Sequence, residues 1–353
     1  MRAADVHQII SSHRYKFEKP PTQTPADHSI DAPLLGNGDL GVAIGGTACS
    51  HRYLIAKNDF WKLRKGRRFG GGPAPIGDFT LEIRDLFRTG SYCFEQKIYE
   101  GVTTGAFEAA ARSIRTKSWV AATENLAVIE IRCEGEATAI DTELRIAGGR
   151  GSESECTCNA DAIWGRRAFA HMCEIESGAA MAVGCISSTG RKVFDIRSIT
   201  IEPGETIVYT IAVCSNFDDA EYADAAKRRA DEVKRSALAS IEDLWHRHRE
   251  WWKGFWEMSC VNIDDPLIEK QYYLSQYILA SASRNPAFPP SIFGTWITTD
   301  DPWWMGDYHL NYNHMAPYYG LYSSNHIEQA APYEAPILDF MDRGTFYARE
   351  QLG

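Results

Sequence analysis

Apolar and polar positions divide the chain into two regimes. From about Asp31 to Ser215, short runs rich in β-branched and aromatic residues recur between turn residues: Leu40 to Ile44, Phe79 to Ile83, Ala127 to Cys133, Met181 to Ile186 and Thr206 to Val213. Such runs predict strands, and with no helical pattern interleaved they predict an antiparallel β-sandwich. The stretch Glu202-Pro203-Gly204-Glu205 reads as a turn feeding the last strand, because proline fixes one φ angle and glycine supplies the permissive corner. At Asp218 the pattern changes. Val233, Ala237, Ile241, Leu244, His248, Trp251 and Phe255 are spaced by threes and fours, which describes one stripe of a long helix ending near Trp256.

After an extended run from Cys260 to Ile263, Asp265-Pro266 supplies a helix cap and a first-turn proline. The helix that follows, to about Arg284, is apolar around much of its circumference and is expected to lie between other elements. Further helices are predicted over Met315 to Ser323 and Ile327 to Met341. The expected organisation is a sandwich domain over 1–217, a linker helix region over 218–262 and a helical domain from 263 to 353.

The 353 residues are 44% hydrophobic and 24% charged, ordinary for a globular chain long enough for two domains. A net charge of −10 argues against nucleic acid as the partner, and the basic clusters at Lys62 to Arg68 and Lys227 to Arg235 read as solvated faces. No segment has the apolar length to span a bilayer and the N-terminus lacks a secretion signal, so a cytoplasmic protein is expected. Nine scattered cysteines match neither a zinc spacing nor a complete disulfide set and read as mostly buried thiols. His246 and His248 diverge around a helix, so no metal pair forms from them, and no cofactor is expected. Gly36-Asn37-Gly38 and Gly70 to Gly72 lack the Lys-Ser/Thr of a phosphate loop and read as tight turns.

Candidate chemistry concentrates in Gly294 to Tyr319, GTWITTDDPWWMGDYHLNYNHMAPYY. Trp296, Trp303 and Trp304 lie there with Asp300, Asp301, Asp307, His309, Asn311 and Asn313. Rings beside amides and acids suit a sugar, whose C–H faces stack on aromatics while its hydroxyls need fixed donors and acceptors. Asn311 and Asn313, two apart, point the same way if the backbone is extended. Asp300 and Asp301 precede Pro302 and read as turn or cap groups, whereas Asp307 is the local candidate for a hydroxyl clamp.

His309-Leu310-Asn311-Tyr312-Asn313 resembles the His-x-Asn-x-Asn segment of glycoside hydrolase family 95, which contains α-L-fucosidases and α-L-galactosidases. Pro33-Leu34-Leu35-Gly36-Asn37-Gly38-Asp39-Leu40-Gly41 resembles that family's opening motif, and Asn58-Asp59-Phe60-Trp61 its N-E-D-x-x-W. Ser281-Ala282-Ser283-Arg284 leading to Gly294-Thr295-Trp296 is similar to a third motif, in the expected order. The resemblance implies a β super-sandwich followed by an (α/α)6 barrel, of which this chain would hold only the opening helices, as an N-terminal fragment. It also implies an inverting exo-glycosidase. Asn311 and Asn313 would orient water, His309 would bind sugar hydroxyls, and the general acid would be a glutamate deeper in the barrel, past Gly353. Two departures bear on specificity: Ala316-Pro317-Tyr318-Tyr319 replaces the usual Met-Asn-Tyr-Trp, and the Glu between Asn58 and Asp59 is missing. A glycoside phosphorylase of related plan and a non-catalytic sugar-binding protein are the alternatives, and Asn37 and Trp61 are the sandwich's own candidates for the pocket.

Overall fold

The structure, a computed structural model, describes residues 3–62, 71–84, 86, 91–109, 111–169 and 176–353, without the side chains of 3–5 and Ala237. All of the basic cluster after Lys62, Gly70 of the second glycine run and Cys173 lie outside the described residues. A short helix α1 (Ala3–Ser12) precedes fifteen described strands. In chain order these are β1 (Tyr15–Phe17), β2 (Leu34–Gly36), β3 (Leu40–Gly46), β4 (Ser50–Lys62), β5 (Gly72–Ile83), β6 (Phe94–Lys97), β7 (Val102–Ala109) and β8 (Arg112–Val120). Next come β9 (Leu126–Gly135), β10 (Thr138–Ile146), β11 (Glu153–Cys158), β12 (Ile163–Ala168), β13 (Gly178–Ser187), β14 (Ser198–Ile201) and β15 (Thr206–Ser215).

Nine strands form one antiparallel sheet in the order β1-β6-β7-β8-β9-β15-β13-β12-β11, and six form the other, β14-β10-β5-β4-β3-β2. Val42, Ile44, Tyr53, Ile55 and Phe79 from the smaller sheet meet Phe107, Ile129, Ile131, Met181, Tyr209 and Ile211 from the larger in one buried core. The sandwich predicted from the strand pattern is present, and each of its five marked runs lies inside an observed strand. The turn before β15 forms as expected, with Gly204 at φ 81°.

The long helix α2 (Tyr222–Glu257) lies across the outer face of the nine-stranded sheet. Val233, Ile241 and Leu244 of its stripe pack on Trp119, Val128 and Val208, and Ala226 and Ala230 on Ala180 and Ala182. β13, covered by core on one side and α2 on the other, is buried at every position. α3 (Pro266–Ala282) begins as predicted: Asp265 accepts hydrogen bonds from the N–H groups of Leu267 and Ile268 at 3.0 and 3.1 Å, with Pro266 in the first turn.

α4 (Tyr312–Ser323), α5 (Ile327–Ala330) and α6 (Ala335–Leu352) follow. The single helix expected over Ile327 to Met341 is instead broken by a 3-10 turn at Ala331–Glu334. Pro332 and Pro336 are the reason, since neither offers an N–H for a continuous helical ladder. The run Cys260 to Ile263 joins no sheet, and Val261 N–H and C=O are taken up by the Tyr273 hydroxyl at 3.0 and 2.6 Å. The described cysteines are free thiols, but Cys156 and Cys158 are exposed and four others half-buried, against the expectation of mostly buried ones. No helix among the described residues is long and apolar enough to cross a membrane.

One irregularity positions the site. Ala56 of β4 lies opposite Pro75 of β5, but the next pair is Trp61 with Pro73, so β4 takes five steps where β5 takes two. Pro73 and Pro75 have no N–H to give to the ladder, and β4 bulges away over Lys57 to Phe60.

Candidate active site

The bulge carries Lys57, whose side chain has no exposed surface, into a ring of three carboxylates. Its ammonium lies 2.8 Å from Asp39, 3.2 Å from Asp218, and against Asp59. Asp39 belongs to the β2–β3 turn and Asp218 to the segment before α2. Asp39 also accepts from Asn125 at 2.8 Å and from Asn285, beyond α3, at 3.0 Å. The three carboxylates lie close enough together to hold a metal ion, but the Lys57 ammonium already fills that position. They hold Lys57 protonated, raising its pKa despite burial.

Asp59 is the carboxylate of this group deepest in the protein, 1% exposed. Its Oδ2 accepts from Ser215 Oγ at 2.7 Å and faces Lys57, whereas its buried Oδ1 has no hydrogen-bond partner. Burial pushes its pKa up to about 6, and the negative charge of Asp39 adds to the rise against the pull of Lys57. Among the described carboxylates with a resolved shift it alone is raised. A buried carboxylate with such a shift, in a cleft, marks a candidate functional group.

Asp59 opens onto a cleft of about 520 Å³ between the sandwich and the helices. The sandwich side supplies Asp59, Trp61, Ser177 and Phe217, and the segment after α3 supplies Phe288. Asp307, Tyr308 and Leu310 form a second wall, and Pro336, Asp339, Phe340 and Arg343 of α6 a third. Trp61 and Tyr308 are 4.7 Å apart, as are Phe217 and Phe288, so paired rings line both flanks.

The residues singled out from sequence separate on folding. Asp307 lines the cleft. His309 lies beside it, with Nδ1 against the Asp307 carboxylate and Trp304 5.4 Å from its ring. Trp303 is exposed and stacks on His28 at 4.1 Å. Trp296 is buried with Ala43, Leu54 and Ala282, its indole N–H donated to Leu35 O at 2.7 Å. Asn311 and Asn313 do not form an extended pair. Asn311 caps α4, its side-chain oxygen accepting from Asn313 N–H at 3.3 Å, and Asn313 lies within the first helical turn. Asparagine is among the best N-cap residues, and that local preference overrides the extended arrangement. The backbone ahead of this cap is strained: Trp304, Met305 and His309 have φ of 49°, 62° and 43°, a conformation uncommon for residues that carry a side chain.

Asp300 is a partner of the sandwich rather than a turn group. It takes both arms of the buried Arg167 guanidinium at 2.8 Å. Asp301 contacts Arg150 at the surface. Asn37 is structural, donating to Ala121 O and Glu124 O at 3.2 and 2.9 Å, and Gly38 at φ 87° makes the expected tight turn. Trp61, the sandwich's other candidate, does reach the cleft. Sequence reasoning missed Asp59 as a functional group. The available signal was Lys57-Asn58-Asp59 interrupting the apolar run from Tyr53 to Trp61.

Residues 228–353 match the family model of the glycosyl hydrolase family 95 catalytic domain. No curated protein sequence matches the chain. A candidate kojibiose phosphorylase from the human microbiome is similar in structure, with a TM-score of 0.50 at 14% identity, over 80% of this chain and 43% of that one. A bacterial glucoamylase complexed with acarbose follows at TM-score 0.39 and 11% identity, over 94% of this chain and 54% of its own. A family GH92 α-mannosidase from Bacteroides thetaiotaomicron gives TM-score 0.30 and 11% identity, over 70% and 38%. The chain thus spans less than half the length of the phosphorylase it resembles, and it shares with it a fold of sandwich followed by helices. The resemblance to family 95 read from the motifs is matched by the family model over α3 to α6 and most of α2.

Proposed function

We propose that this chain forms the sandwich and first helices of an inverting exo-glycosidase acting on α-L-fucosyl- or α-L-galactosyl-like residues. The observation that carries the reading is the cleft itself. It pairs aromatic rings with carboxylates, and one wall of it, Asp307, Tyr308 and Leu310, lies within the stretch that matches a glycosidase catalytic domain and leads directly into Asn311 and Asn313. Hydrolysis with inversion needs an acid for the leaving oxygen and an activated water on the opposite face of the sugar. Asn311 and Asn313 cannot act as bases, because an amide has no useful proton affinity near neutrality, so their part is to orient that water. With its oxygen engaged in capping α4, Asn311 offers its amide N–H groups. His309, held against Asp307, contacts sugar hydroxyls, and Trp304 beside it presents a ring. The glutamate acid that the resemblance implies is assigned to no residue of this chain.

The test is an assay of the full-length protein, with this chain alone as the inactive control, on aryl α-L-fucoside and α-L-galactoside, with and without inorganic phosphate. The expected product is the free sugar of inverted configuration, independent of phosphate. In Asn311→Ala and Asn313→Ala, kcat is expected to fall by about 10²-fold or more, the scale of losing a positioning contact. Unchanged turnover in folded variants would remove both amides from the mechanism. A sugar phosphate formed only with phosphate present would replace the hydrolase by a phosphorylase, and binding without turnover would leave a sugar-binding protein.

A further inference from the structure

Asp59 is held in a way that the ion cluster alone does not account for. Lys57 is balanced by Asp39 and Asp218 even without it. The bulge nevertheless buries Asp59 with one oxygen doubly engaged, by Lys57 and Ser215, and the other with no partner. An unpaired buried acceptor is costly, and of the buried side-chain atoms without a partner among the described residues, Asp59 Oδ1 is the one on a residue that lines the cleft.

Its surroundings indicate what completes it. Asp59 and Trp61 are two apart on one strand, and both line the cleft. The Trp61 ring is fixed by its indole N–H to Asn58 O at 2.6 Å and by Tyr308 at 4.7 Å. Ser177, also lining the cleft, receives Trp61 N–H at 3.0 Å. A rigid ring for a C–H face beside an anionic acceptor for a hydroxyl is the pairing a pyranose requires. A metal ion is disfavoured by the ammonium already seated among the carboxylates.

We propose that Asp59 is a substrate-binding residue supplied by the sandwich, its Oδ1 accepting a hydroxyl of a sugar unit stacked on Trp61. This rests on the carbohydrate reading of the cleft and assigns it a contact outside the His309 to Asn313 segment. The bulge made by Pro73 and Pro75 thereby becomes part of the binding site. The raised pKa, near 6 through burial, leaves this group able to accept or donate a hydrogen bond close to neutrality.

The experiment titrates the protein with L-fucose, L-galactose and D-glucose by tryptophan fluorescence, and records melting temperature for each variant. Asp59→Asn is expected to weaken binding of the preferred sugar about 10-fold or more, the scale of one hydrogen bond to a charged group. Asp218→Asn loosens the same cluster away from the cleft, and is expected to lower the melting temperature while leaving affinity within about 2-fold. Should Asp59→Asn not fold, the double variant Lys57→Met/Asp59→Asn removes the charge pair together and reads out the same loss. Affinity unchanged in Asp59→Asn, or lost equally in Asp218→Asn, overturns the proposal while the carbohydrate reading stands. A wild-type protein that binds none of the sugars overturns both.

Discussion

Trp296 joins two layers: its ring packs against Ala43 and Leu54 of the sandwich and Ala282 of α3, and its N–H reaches Leu35 O. Replacing it by alanine removes that packing and leaves a buried carbonyl short of a donor, which is expected to cost about 3–5 kcal/mol. Trp303, exposed and stacked on His28, is expected to cost about 0.5 kcal/mol or less on the same substitution. Urea unfolding of Trp296→Ala and Trp303→Ala checks the contrast, and equal losses would refute it. Nothing in the local sequence separates these two rings, because the surroundings of each come largely from residues more than two hundred positions away. Asp59 was hidden for the opposite reason. Its charge lies in a strand whose neighbours are apolar, and only the register shift opposite Pro73 and Pro75 shows that it opens into a cleft.

At the scale of elements, local chemistry was the most legible part. The Asp265-Pro266 start of α3, the stripe of α2 and the turn at Gly204 follow from rules that act within a few residues. Asp265→Ala is therefore expected to cost about 1 kcal/mol, the worth of an N-cap, and Asp265→Ser to restore most of it. Denaturant midpoints of the two variants decide it, and an alanine variant as stable as wild type would show that tertiary packing alone sets this helix start. The same rule explains the misplaced expectation at Asn311. Its spacing from Asn313 suggested an extended pair, but a cap followed by a helical turn uses those residues equally well. Periodicity over so few positions cannot choose between the two. The bulge was invisible because it arises from prolines on the partner strand, twelve and fourteen residues after Trp61 in the chain.

Over the whole molecule, buried histidines draw stability down in acid. Burial holds His51 down to about 4 against the pull of Ala48 O, and burial with the positive charges of Lys117 and Arg284 holds His248 down to about 3 against Glu100 O. In the unfolded chain both titrate near 6.5, so below that pH the unfolded state binds more protons. Their contribution is complete above about pH 6.5 and drains away as pH falls through 6.5 toward those folded values. Asp59 acts in the opposite sense, gaining its proton on folding between about 6 and its ordinary 3.8, and offsets part of the loss. The melting temperature is expected to drop between pH 7 and 4.5, and the drop to be shallower in His248→Gln. Identical pH profiles would sink the assignment. Two-sheet architecture and the helical continuation were readable because each is a sum over many positions, whereas the cleft depends on how a few loops meet.

The contact between the Gly36-Asn37-Gly38 turn and the end of α3 also dictates how the cleft can move. A Cβ at Gly36 would come within 2.2 Å of Ser281 O, and one at Gly38 within 2.3 Å of Arg284, so backbone and side chain are already at closest approach. Gly38 O further receives the N–H groups of Arg284 and Asn285, and Asn58 spans Gly38 O and Ala282 O. Sliding or rocking of the sandwich over α3 is thus blocked at this seam. The wall of the cleft that carries Asp59 is therefore locked to α3 and cannot shift without it.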